Sequence, residues 1–74
     1  MRAWAPRGVM PAPVEITVAT VRRGDVIEIG STPHRVADLV QLPGGAKQLR
    51  FESGELLTMH SRSRLIALRV LRRR

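Results

Sequence analysis

The sequence predicts an all-β domain, a small antiparallel barrel of five or six short strands. From Val14 onward, short runs rich in aliphatic and β-branched residues alternate with turn-forming residues at close, regular spacing. The chain has 74 residues, which is enough for one domain only. Because exposed strand edges favour aggregation, closing so small a sheet into a barrel is the arrangement we expect.

The first segment, residues 1–13, is predicted to be a disordered tail. It contains three of the five prolines and shows no hydrophobic periodicity. Proline lacks a backbone donor and restricts the residue before it, so we expect no regular strand here. The barrel domain is predicted to span residues 14–71, and residues 72–74 form a short basic tail.

The first two strands are predicted from alternation and from the turns around them. Residues 14–20 alternate in a period of two, which is typical of a half-buried strand. A turn over residues 22–25 leads into the second strand, Val26 to Ile29. The segment from Gly30 to Pro33 then ends that strand.

The next three strands are also delimited by turns. The third runs from His34 to about Leu42 and is broken by Pro43-Gly44-Gly45. The fourth covers residues 48–51, where Leu49 and Phe51 share one face and are expected in the core. A turn at residues 52–55, with Gly54 able to adopt positive φ, leads into the fifth strand at residues 56–60.

The last apolar run, residues 65–71, has two interpretations. As a strand, it turns Arg69 outward and three aliphatic side chains inward, namely Ile66, Leu68 and Val70. As a helix, it would be capped by a serine at position 61 or 63, with apolar residues nearly all round. The β-branched content and the short length favour the strand.

One stretch of the chain resembles a known family of folds. In RRGDVIEIGSTPHRVADL, a turn at Gly24-Asp25 leads into Val26, the strand ends at Gly30, and the next strand contains Val36. This pattern resembles SH3-like barrels of translation proteins, such as the N-terminal domain of elongation factor P and the KOW domains. The later FESGE looks like a strand-turn-strand of such barrels. The resemblance implies an SH3-like fold and no particular function, because such barrels bind both nucleic acids and proteins.

The positive charge is concentrated at the C-terminal end. The chain has 13 Lys plus Arg against 6 Asp plus Glu, a net charge of +7. Residues 61–74 contain six arginines and no acid, whereas residues 22–60 are balanced. Abundant arginine is typical of a GC-rich genome, but that does not explain the clustering. The sequence therefore predicts a basic edge on a neutral body.

Several functional classes are excluded by composition. No convergent acid, base and nucleophile are present: His34 and His60 lack metal-ligand spacing, and Ser53 has no base partner in the pattern. We predict no enzyme activity, metal, cofactor or small-molecule substrate. With Trp4 and Phe51 as the only aromatic residues, no stacking platform or aromatic groove is expected. No apolar run approaches the length of a membrane span, and the absence of cysteine favours the cytoplasm.

Two functions remain. The first is nucleic-acid binding, to DNA or RNA, through mostly sequence-independent phosphate contacts. Its candidate residues are Arg35, Arg50, Arg62, Arg64, Arg69, Arg72, Arg73 and Arg74. The second is a protein-interaction or structural module, in which a strand edge pairs with a partner and the arginines guard that edge and maintain solubility. A helical last run would instead allow binding at a membrane surface.

Overall fold

The chain folds into six antiparallel strands. A computed structural model describes residues 9–72, with side chains for residues 11–69. The strands are β1 (Val9–Ile16), β2 (Val26–Ile29), β3 (Thr32–Gln41), β4 (Lys47–Phe51), β5 (Leu56–Met59) and β6 (Leu65–Arg72). A single 3-10 turn, Pro43–Gly45, joins β3 to β4. The all-β prediction is confirmed. Among the described residues, no helix is long and apolar enough to cross a membrane.

The strands form one sheet in the order β1-β6-β2-β3-β4-β5. Consecutive strands β2 to β5 form a meander, while β6 returns to lie between β1 and β2. The two edge strands, β1 and β5, are not hydrogen-bonded to each other over the described residues, so the sheet is open there. The pairing that matters most for the site is that of β1 with β6, which runs from Ile16↔Leu65 to Val9↔Arg72.

The start of β1 corrects the predicted tail. Residues 9–13 lie in β1, so the prediction of disorder is wrong for them, and residues 1–8 lie outside the described residues. Pro11 and Pro13 are tolerated because β1 is an edge strand. They are two residues apart and therefore have the same orientation, with both nitrogens on the side away from β6, where no donor is needed.

The last run is a strand, as the stronger of its two interpretations predicted, so the helical interpretation, on which binding at a membrane surface depended, is wrong. The prediction that Ile66 faces the core and Arg69 faces outward was wrong. Ala67 is fully buried, whereas Ile66 is 61% exposed. The register explains this, because Ala67 lies opposite Val14 and Leu65 lies opposite Ile16, both on the core side of β1. Arg72, predicted to begin the tail, is the last residue of β6.

The core lies on one side of the sheet. Its largest fully buried apolar side chains are Ile16, Val36, Leu49 and Met59. Phe51 is buried with them, so the prediction that Leu49 and Phe51 share a core face is confirmed. The turn before β5 also matches its prediction, since Gly54 has φ +94°.

Candidate nucleic-acid interface

Asp25 is a buried carboxylate with its acceptor capacity largely satisfied. The residue is 1% exposed. Its Oδ2 accepts a hydrogen bond from the backbone N–H of Arg22 at 2.9 Å, a local contact typical of Asp in a turn. Both carboxylate oxygens also accept from the guanidinium of Arg69, Nε to Oδ1 at 2.8 Å and Nη2 to Oδ2 at 2.9 Å. This is a bidentate ion pair between residues 44 positions apart.

Arg69 is consequently committed to a structural contact. Its side chain is 19% exposed, and Nη2 also donates to the carbonyl of Thr20 at 3.0 Å. The hydrogen bond and the charge of Asp25 raise the pKa of Arg69, although desolvation opposes this. The expectation that Arg69 faces outward to contact phosphates does not match this geometry. The pair connects the turn after residue 20 directly to β6.

Arg22 and Arg23 lie in that turn and were not among the candidate residues. Both side chains are exposed. In the sequence their charge is balanced within residues 22–60, but the charge of Asp25 is compensated by Arg69, which lies outside that range. The ion pairs of the described residues include neither Arg22 nor Arg23. The turn therefore presents two positive charges beside the C-terminal half of β6, because Arg69 contacts both Asp25 and the carbonyl of Thr20.

Arg72 lies where the beginning of β1 meets the end of β6. It pairs with Val9 in the β1–β6 ladder. Arg73 and Arg74 lie outside the described residues, as do Arg2 and Arg7 near the other terminus. The register places the beginning of β1 beside the end of β6, the strand that also contacts the turn with Arg22 and Arg23 through Arg69. Sequence reasoning missed this because it began the first strand at Val14.

Arg35 and Arg50 lie elsewhere, on the adjacent strands β3 and β4. Arg35 Nε is 4.0 Å from Glu52 Oε2, with the two side chains 39% and 61% exposed. Arg50 donates from Nε to Gln48 Oε1 at 3.1 Å and lies opposite Asp38 in the ladder. Each of these arginines thus has an acid nearby, which lowers the local positive potential.

Arg62 and Arg64 lie at the opposite end of β6 from Arg72. They line a groove of about 600 Å³ between the turn after β1 and the turn before β6. Arg64 Nη1 is 3.9 Å from Glu15 Oε2, and both side chains are more than half exposed. The five candidate arginines whose side chains the structure describes are therefore not on one face. They divide among a partly buried contact, the groove and the β3–β4 surface.

A serine–histidine contact corrects one expectation. Ser53 does have a base partner, since His34 Nδ1 lies 2.7 Å from its Oγ. The imidazole also packs edge-on against Phe51, with 5.7 Å between ring centroids. Among the described hydrogen bonds, no carboxylate contacts this ring to orient it as a catalytic base. Within the described residues, no group of three or more potential ligands is placed to hold a metal ion.

Comparisons with known proteins add no relative. No family model matches the chain, and neither a curated protein nor a solved structure is significantly similar to it. The function is therefore argued from the sequence and the geometry alone.

Proposed function

We propose that the chain is a non-enzymatic nucleic-acid-binding module of the SH3-like barrel class. It contacts DNA or RNA phosphates at the end of the sheet where β1 begins and β6 ends. The observation that carries the proposal is the Val9↔Arg72 pairing, together with the Asp25–Arg69 contact that holds a turn with two arginines at the same end. We name this region the basic end. Its described arginines are Arg22, Arg23 and Arg72, and the sequence continues from β1 and β6 into segments that contain Arg2, Arg7, Arg73 and Arg74.

The basic end combines high charge with few nearby acids. Residues 1–8 and 72–74 contain five arginines and no acidic residue. The nearest acid along β1 is Glu15, at the far end of the strand, where it pairs with Ile66. Asp25, the acid within the turn, is neutralised by Arg69. Guanidinium groups in such a cluster attract phosphates and can bind them bidentately.

The contacts are proposed to be sequence-independent. Phe51 is buried in the core, so it offers no ring to an unstacked base. Recognition of single strands by stacking requires exposed rings on a surface. Arginines on turns and chain ends contact phosphates instead, and such contacts position a protein without reading bases.

The salt dependence of binding tests the proposal. With about five phosphate contacts, log affinity for duplex DNA should fall against log salt with a slope of roughly −4 to −5. Replacing three arginines in R72Q/R73Q/R74Q should make that slope shallower by about 2 to 3, and R22Q/R23Q by up to about 2. Fluorescence anisotropy at four salt concentrations measures both.

The matched control for R22Q/R23Q is R35Q/R50Q, which removes the same charge from the β3–β4 surface. We expect its slope to stay close to that of the unmodified chain. If the two double variants behave alike, binding depends on net charge and not on the basic end. A salt-insensitive interaction would contradict the proposal altogether.

A second candidate, protein interaction through a strand edge, is favoured by one observation. The edge strand β5 contains neither proline nor charge, and its Leu56 is 58% exposed. This edge can accept a partner strand by main-chain hydrogen bonding. Such binding would be weakly salt-dependent and would not change in R72Q/R73Q/R74Q, which distinguishes it from the first proposal.

A further inference from the structure

A second basic surface lies at the other end of β6 and is separate from the basic end. The groove of about 600 Å³ is lined on one side by Thr17, Val18 and Ala19, and on the other by residues 61–64. No acidic residue lines it. Because β6 has eight residues that rise about 3.3 Å each, roughly 25 Å separate this groove from Arg72.

Two guanidinium groups border the groove with little competition for them. Arg62 is exposed and has no ion pair with a described acid. Arg64 has a contact of 3.9 Å to Glu15, in which the two side chains are 71% and 57% exposed. An exposed pair at that distance contributes little to stability, so a more highly charged anion can displace Glu15.

The hydroxyl groups of the groove are oriented by the turns that carry them. Ser63 Oγ accepts a hydrogen bond from the backbone N–H of His60 at 2.9 Å. Across the groove, Thr17 Oγ1 accepts from the backbone N–H of Ala19 at 3.1 Å. Because Ser63 Oγ acts as an acceptor within the fold, its O–H group remains able to donate to an anion. Thr17 Oγ1 also lies 3.4 Å from Thr20 Oγ1, and when Thr20 is the donor of that contact the Thr17 O–H group is likewise able to donate to an anion. Ser61 adds a third hydroxyl to the lining.

From these contacts we infer that the groove binds a phosphate group. The guanidinium groups of Arg62 and Arg64 supply the charge and planar donors, and the hydroxyl groups of Thr17, Ser61 and Ser63 supply further hydrogen bonds. The inference rests on the groove itself and not on the proposed function of the basic end. A phosphate in the groove can belong to a nucleic-acid backbone or be free.

The test uses the full chain and inorganic phosphate. Phosphate is titrated against chloride at constant ionic strength while backbone amide resonances are followed by NMR. Saturable shifts are expected at residues 17–19 and 61–64. In R62Q/R64Q the affinity should fall at least tenfold, whereas R22Q/R23Q should bind as the unmodified chain does. Absence of saturation, or equal affinity in R62Q/R64Q, would overturn the inference.

A second arm identifies the source of the phosphate and separates the two proposals. If R62Q/R64Q weakens both inorganic phosphate and duplex DNA, the groove takes the backbone phosphate of a nucleic acid. If it weakens phosphate alone, the groove takes a free phosphate group. Either result supports the phosphate site in the groove. If the basic end does not bind nucleic acid, the evidence comes from R22Q/R23Q and R72Q/R73Q/R74Q, which then bind DNA as the unmodified chain does. Because a charge change could disturb the turn, S61A provides a neutral variant in which phosphate affinity should also fall.

Discussion

The contact between Asp25 and Arg69 links the chemistry of one buried carboxylate to the placement of a whole surface. A carboxylate that is 1% exposed must be compensated, because desolvating an unpaired charge costs several kcal/mol. Arg69 and the N–H of Arg22 provide that compensation. As a result, the turn that carries Arg22 and Arg23 is fixed against β6, and its two arginines face solvent without a competing acid.

Removing this carboxylate should destabilise the protein strongly. In D25A, we expect a loss of about 3 kcal/mol in the free energy of unfolding, because Arg69 keeps a partly buried charge without its partner. Urea unfolding followed by circular dichroism at pH 7 measures it. The control is D38A, where the carboxylate is exposed and its described hydrogen bond is to the next residue's N–H. Equal effects of D25A and D38A would show that the pair is not structural.

Asp25 also shows what local sequence can and cannot predict. Its bond to a nearby N–H was predictable, since Asp after Gly commonly caps its own turn. Its partner was not, because Arg69 is 44 residues away and stands in an apolar run. Side chains alternate between the two faces of β6, so the pairing register of the strand decides which face Arg69 occupies. A shift of the register by one residue would move Arg69 to the opposite face. The inward position of Ala67 sets the parity that brings Arg69 to Asp25.

At the level of the strand, β1 and β5 are edges of different kinds. Pro11 and Pro13 remove two donors from the outer side of β1, which blocks pairing with a further strand. The edge of β5 has no such protection. At the edge of β1 this protection comes from prolines and does not depend on the arginines predicted to guard an edge.

Restoring the missing donors should promote self-association. In P11V/P13V, the outer edge of β1 gains two N–H groups and two β-branched side chains, so we expect dimers or larger species at high micromolar concentration. Analytical ultracentrifugation measures their fraction. P43V is the matched control, because it exchanges a proline for valine in the 3-10 turn. A monomeric P11V/P13V would mean that the prolines do not protect the edge.

The strands that were predicted well are those bounded by strong turn signals. The limits of β2 and β4 were close to the observed ones, because Gly, Pro and Asp residues mark their turns. The start of β1 was missed by five residues, since proline argues against a strand unless the strand is known to be an edge. Edge position is a property of the assembled sheet, which no local pattern contains.

For the whole molecule, the small core limits stability. A 74-residue chain buries a modest fraction of its surface, so each core side chain accounts for a large share of the free energy of unfolding. Leu49 is fully buried in β4, between β3 and β5. Its loss affects packing on both sides of the strand.

Truncating Leu49 should therefore leave much of the protein unfolded. We expect L49A to lose about 2–5 kcal/mol, a range comparable with the total stability of a small domain. Thermal unfolding by circular dichroism provides the measurement. L56A is the control, because Leu56 is 58% exposed and its removal should change the midpoint little. A cooperative transition for L49A at the original temperature would contradict the packing described.

The candidate site is also a property of the whole sheet. The clustering of charge in residues 61–74 was visible in the sequence, but the residues that lie beside them in the sheet were not. The turn with Arg22 and Arg23 lies beside β6 because β6 inserts between β1 and β2. Arg62 and Arg64 precede β6, so the length of that strand separates them from Arg72.

The position of β6 has a consequence for how the protein folds. β6 follows all the other strands in the chain, yet in the sheet it is an interior strand. During synthesis, the meander of β2 to β5 can form early from local contacts, whereas β1 has to wait for its partner from some fifty residues later. Closing that long loop is entropically costly, and non-local pairing slows folding to the millisecond-to-second range. The ribosome must therefore release β6 before β1 is held, and until then the edge of β2 is open to other chains.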